Sequence, residues 1–222
     1  LHEDGSMAVY AHLDYNGVDV PDFAPDLVTM NNAHATHFTT DVDPGVRHVL
    51  RGWVPGGGLA EHDVVEGDLR VRNVPTSVRG RAGDRTNSNS IFVFEVADLC
   101  IAHLGHLHHR LEDYHLAEMG VIDVLLVPVD GMWTLPHAAA ADVIDQVRPS
   151  LVVPMHYFGR SVLEGFLADC PEHVGRLSLL LTSDEEGVAA AHERRKEVLY
   201  QFPVPDDKSC DFPLRRPELL SE

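Results

Sequence analysis

Cysteine is scarce. Cys100, Cys170 and Cys210 are widely spaced and odd in number, too few for a disulfide framework or a thiolate metal cluster, so a reducing cytoplasmic setting is expected. No apolar run reaches the roughly 18 residues that span a bilayer, and the opening LHEDGS lacks the basic and apolar regions of a secretory signal, so no membrane partner is expected. Positive charge is short too: Lys+Arg 17 against Asp+Glu 35 leaves −18. That field opposes a phosphate backbone, which removes nucleic acid from the expected partners and leaves a small-molecule substrate. The chain has no internal repeat and no low-complexity tract beyond Gly56–Gly58. Its 222 residues, 44% hydrophobic, suffice for one sizeable core and not for two ordinary enzyme domains.

What is abundant is histidine: fifteen residues. Imidazole is the commonest metal ligand and an awkward core residue, so the excess directs attention to a metal site. Seven of these residues, His2, His12, His48, His62, His115, His173 and His192, lie among polar neighbours and read as ordinary surface or polar packing. The others fall near loop signals or in clusters.

Strands are expected near 8–13, 27–30, 46–53, 62–66, 69–74, 90–96, 99–103, 122–127, 151–155, 177–181 and 197–202, each bounded by Gly, Pro, Asp or Asn. Helical spacing appears in Leu135, Ala139, Val143 and Val147, between Pro136 and Pro149, with shorter helices expected over 110–119 and 160–168. SIFVFEV at 90–96 and IDVLLV at 122–127 are nearly continuous apolar runs, which fits sheets covered on both faces. The first half is β-rich and the second alternates β and α. The expected fold is α/β, an αββα sandwich of two mixed β-sheets with outer helices, occupying residues 1–202 and followed by a Pro/Asp/Lys-rich tail, 203–222.

Three strands run into imidazoles. LVTM at 27–30 leads to Asn32, His34 and His37; LCIAH at 99–103 leads through Gly105 to His106, His108 and His109; LVVPM at 151–155 leads to His156 and Tyr157. Histidines at the ends of buried strands suit a divalent ion bound at one rim of the sheets.

The order of DLVTMNNAHATHF, IAHLGHLHH, VIDVLLVPVDGMWT and RPSLVVPMHYF resembles the metallo-β-lactamase fold, in the branch of Zn-dependent hydrolases related to ascorbate-phosphate lactonases and N-acyl-phosphatidylethanolamine phospholipase D enzymes. Those proteins carry V-T-x-S-H-x-H-x-D-H, a single loop His, H-x-G-D, I-D-V-L-L-x-P and P-x-H-Y. The resemblance covers about residues 20–160, and the last two strings are the closest matches. Asn32 stands at the first His of the long run, His34 at the second, Thr36 at its Asp and His37 at its last His. His106 stands at the Asp that bridges two metals in the family, and the loop His falls near Val78. Four of the seven usual ligands have changed.

Sorted by the ion each serves in the family, one site keeps only His34 unaltered. The other becomes a pocket of His37, His106 and His156, with His34 as a fourth ligand or a donor behind them. Removing two carboxylates strengthens repulsion between two cations, so the resemblance implies one divalent ion: Zn²⁺ first, with Fe²⁺ or Mn²⁺ also accommodated. Asn32 reads as a turn residue or a substrate-orienting amide, His103 as support behind the ligands, and Tyr157 as packing or as a donor to a developing oxyanion. The resemblance implies a hydrolase of a small ester, lactone, amide or phosphodiester. A three-His iron oxygenase or redox enzyme stays open, as does a decayed binding module. The family also opens with a hairpin that these residues lack, so either residues precede Leu1 or a partner copy covers the exposed sheet edge in a homo-oligomer.

Overall fold

A computed structural model of the chain describes residues 10–11, 24–34, 37–80 and 83–170. The strands expected at 177–181 and 197–202, the tail 203–222 and Thr36 lie outside the described residues.

Nine strands form two sheets among the described residues. β1 (Tyr10–Ala11), β2 (Leu27–Met30) and β3 (His48–Arg51) make a three-stranded sheet in the order β1-β2-β3. β4 (Asp63–Glu66), β5 (Leu69–Val78), β6 (Arg85–Val96), β7 (Leu99–His103), β8 (Val124–Pro128) and β9 (Leu151–Met155) make a six-stranded sheet in chain order. The large sheet is mixed: β4 to β7 pair antiparallel as a meander, whereas β7, β8 and β9 run parallel. The small sheet is parallel throughout its described strands rather than mixed. The parallel steps need crossovers, and α1 (Asp113–Met119) and α2 (His137–Val147) supply them between β7, β8 and β9; α3 (Arg160–Asp169) follows β9.

Alternation along β6 explains its apolar run. Ile91 and Val93 face a core shared with Ala102, Leu125, Val152 and the buried faces of α2 and α3, whereas Phe92 and Phe94 face the opposite way, onto Leu27, Leu50, Leu69 and Val71. The large sheet is thus covered by helices on one face and by the small sheet on the other. The described residues account for three layers of the expected sandwich: small sheet, large sheet, helices.

Local chemistry sets the helix ends. α1 begins at Asp113, three residues after the expected start, because Glu112 and His115 form a capping box, and it stops at Gly120 with φ 71°. α2 follows Pro136 and ends with Arg148 in the left-handed region. β5 and β6 outrun their expected ends: pairing continues through Pro75↔Ser90 and Thr76↔Asn89 to Val78↔Arg85. Cys100, buried in β7, is disulfide-bonded, so the cysteine count carries no argument about compartment. No helix among the described residues is long and apolar enough to cross a membrane.

Candidate metal centre

β7, β8 and β9 are parallel, so their carboxyl ends share one rim, the usual place for a site in such sheets. His106 follows β7 and His156 follows β9; His37 reaches the same point from the loop after β2. The three rings offer nitrogen atoms that all lie within 4.8 Å of one another. Their centroids are 5.0 Å apart for His37 and His106, 5.0 Å for His106 and His156, and 5.3 Å for His37 and His156.

Backbone conformation places His156 and His106. His156 has φ 55°, a left-handed conformation that costs a non-glycine residue energy and persists only where its surroundings over-determine it. The His106 amide donates to Asn89 Oδ1 at 2.8 Å. Asn89 is fully buried and its amide donates to Thr76 Oγ1 at 2.7 Å and to the Leu104 carbonyl at 3.2 Å. Asn31 ties the same loop from the other side, donating to the carbonyls of Ser90 at 2.8 Å and His103 at 3.3 Å. Gly105, φ 61°, passes so close to this Asn pair that a Cβ would meet Asn89 Oδ1 at 2.5 Å.

Asp130, in the loop after β8, completes the arrangement. Its Oδ1 accepts the backbone N–H groups of Met132 (2.6 Å), Trp133 (2.7 Å) and Thr134 (3.1 Å), and its Oδ2 accepts the Thr134 hydroxyl at 3.0 Å. Oδ2 also lies 2.6 Å from His156 Nδ1. Burial pushes this carboxyl up, but hydrogen bonds from His156 and from the Met132, Thr134 and Trp133 amides outweigh it and hold Asp130 well below the usual carboxylate range. An ionised carboxylate only accepts, so His156 Nδ1 carries the proton.

The donor set fits a divalent cation. With Nδ1 turned to Asp130, the other ring nitrogen of His156, Nε2, sits 3.1 Å from His37 Nε2. A tetrahedral site with bonds of about 2.0–2.1 Å has ligand edges of about 3.3–3.4 Å. His106 is pushed down to about 4 by burial and by His156, against Asp130, which keeps it in the neutral form that ligates. Its Nδ1 is buried and has no hydrogen-bond partner, as expected of a group whose partner is an ion or a water.

His34 is exposed, its ring 5.6 Å from that of His37 and outside the group of three. Asn32 is buried, bridges to Asn89 through the backbone, and accepts the His34 amide at 3.0 Å in a turn. His103 Nδ1 accepts the Gly105 amide at 3.0 Å, bracing the turn that carries His106, and burial lowers its pKa to about 4. Tyr157 packs against the helix-side core. Val78 is a buried strand residue rather than a loop position. Asp130, Asn89 and Asn31 were not among the sequence candidates. The Asp-Gly at 130–131, just past an apolar strand, was the available signal for the first; the two asparagines carried none.

A family model described as "Beta-lactamase superfamily domain" matches residues 7–156, more than half of the chain. The chain belongs to this beta-lactamase superfamily. Within it, the chain is 38% identical over 73 residues to a UPF0173 protein of Pyrococcus abyssi, a stretch covering 32% of this chain and 34% of that protein. It is 26% identical over 160 residues to a UPF0173 metal-dependent hydrolase of Salinibacter ruber, covering 71% of this chain and 68% of that one. The match thus spans about a third of the Pyrococcus abyssi relative's length. Among solved structures, a protein of Parabacteroides distasonis assigned as a metal-dependent hydrolase shares the fold, with a TM-score of 0.54, 14% identity, and coverage of 69% of this chain and 76% of that one. The large mixed sheet, with the small sheet on one face and helices on the other, is the metallo-β-lactamase fold.

Proposed function

We propose that this superfamily member is a metal-dependent hydrolase in which His37, His106 and His156 hold one divalent ion, zinc first, against a small ester, lactone, amide or phosphodiester. The observation that carries the reading is the convergence of three imidazole nitrogens within 4.8 Å at the rim where parallel strands end. The name of the Salinibacter ruber relative points the same way. An ion so held supplies Lewis acidity toward a carbonyl or phosphoryl oxygen and lowers the pKa of a water toward roughly 7.

The chain's own residues do the rest. Asn89 and Gly105 set the path of the His106 backbone, and Asp130 orients His156. A ligand set without carboxylates favours one cation over two, because nothing offsets their mutual repulsion. Met132, Trp133 and Phe158 are large, apolar and exposed beside this rim, and the Phe158 ring lies 5.4 Å from that of His156. They suit a substrate with an acyl or aryl group next to the bond that breaks.

The test is zinc-loaded protein against p-nitrophenyl acyl esters, aromatic lactones and bis-p-nitrophenyl phosphate, with His106→Ala as control. Zinc-dependent turnover of one class, abolished in the variant, supports the reading. Stoichiometric iron after anaerobic purification, with oxygen uptake and no hydrolysis, would overturn it.

A further inference from the structure

Resting on the reading above, we propose that Asp130 is the relocated carboxylate of this centre, a positioning residue that acts through His156. Judged against the family pattern it resembles, the ligand set has lost both carboxylates, with Thr36 at one place and His106 at the other. A buried carboxylate nevertheless stands one residue behind the ligands. Asp130 has 2% side-chain exposure and meets His156 Nδ1 at 2.6 Å.

Turn formation does not explain it. Three backbone amides are satisfied by Oδ1 alone, and a neutral Asn caps such a turn as well. Burying a charge costs far more than burying an amide unless it is paired and hydrogen-bonded, so a carboxylate here has a use that an amide would not serve. The second oxygen reveals that use: held by the Thr134 hydroxyl, Oδ2 accepts His156 Nδ1–H and leaves Nε2 bare, 3.1 Å from His37 Nε2. Register delivers the pair, since Pro128 lies opposite Met155 and the Val129 amide donates to the Met155 carbonyl at 2.9 Å. Carboxylates in this position fix the tautomer of a ligating histidine and raise its basicity.

Asp130→Asn separates the two roles. Its Oδ1 still caps the turn, but its Nδ2 donates and cannot accept from Nδ1–H, so neutral His156 must move its proton to Nε2, the nitrogen facing His37. Two readouts decide. Long-range ¹⁵N–¹H NMR of metal-free protein should give His156 as the Nδ1–H tautomer in wild type and Nε2–H in Asp130→Asn. Zinc affinity by chelator competition should fall about 10- to 100-fold in the variant. An Nε2–H tautomer in metal-free wild type overturns the proposal even if the variant does not fold; so does wild-type tautomer or zinc affinity in a folded Asp130→Asn. Should wild type bind no zinc, the hydrolase reading fails, while the tautomers still decide what Asp130 does to His156.

Discussion

Gly105→Ala probes the scaffold of the site without touching a ligand. The new Cβ would lie 2.5 Å from Asn89 Oδ1 and 2.6 Å from Asn31 Cβ, below any real contact distance. Neither neighbour can retreat cheaply. Asn89 is committed to Thr76, Leu104 and the His106 amide, and Asn31 to Ser90 and His103. The left-handed φ of 61° costs alanine about 1–2 kcal/mol, and overpacking a filled site adds about 1–3 kcal/mol. The sum is about 2–5 kcal/mol, or roughly 4–20 °C in Tm at about 2–4 °C per kcal/mol for a domain of this size. Gly56→Ala is the matched control, with φ 90° and nothing within 4 Å of its Cβ, so it carries the backbone cost alone. Urea denaturation of both variants without metal isolates the clash as their difference. A difference under about 0.5 kcal/mol, within ordinary surface effects, would refute the view that the Asn pair grips the His106 loop.

Other consequences follow from single residues. Phe92, fully buried between the two sheets with Leu27, Leu50 and Leu69, should cost about 3–5 kcal/mol as Phe92→Ala, against less than about 0.5 kcal/mol for exposed Val65→Ala; denaturant midpoints compare them. His115 is pushed down to about 4 by burial and by His109. The unfolded chain therefore takes up its proton first as the pH falls, and stability is present above about 6.5 and lost between there and about 4. His115→Gln keeps a side chain suited to the capping box and cannot charge, so this variant, metal-free, should show a shallower acid loss in urea titrations from about pH 7 to about pH 4.5; an unchanged slope would rule His115 out as a source. Trp133→Ala should raise KM for aryl substrates more than it lowers kcat if the apolar rim seats the substrate; an unchanged KM would remove Trp133 from that role.

The parts of the fold legible in sequence are those whose ends are set locally. β2, β7 and β9 have the expected limits because each apolar run stops at polar residues that begin a loop. β5 and β6 read short because Pro75 and the polar stretch Arg85–Asn89 look like breakers, whereas the partner strand carries the pairing through both. Strand ends pointed to the histidine clusters that hold His37, His106 and His156, and the resemblance to the family singled these three out from their neighbours. Asp130 was not legible. In isolation it is an ordinary turn aspartate before glycine, and only the β8–β9 register brings its second oxygen to His156. Asn89 is hidden differently: it lies within a strand, and its use depends on how closely Gly105 approaches.

Zinc stoichiometry tests the centre most directly. Metal analysis of zinc-equilibrated wild type and of His37→Ala, His106→Ala and His156→Ala should give one ion per wild-type chain and little in each variant, with far-ultraviolet circular dichroism unchanged. Zinc retained in His106→Ala, or absent from folded wild type, would contradict a metal centre built from these three histidines.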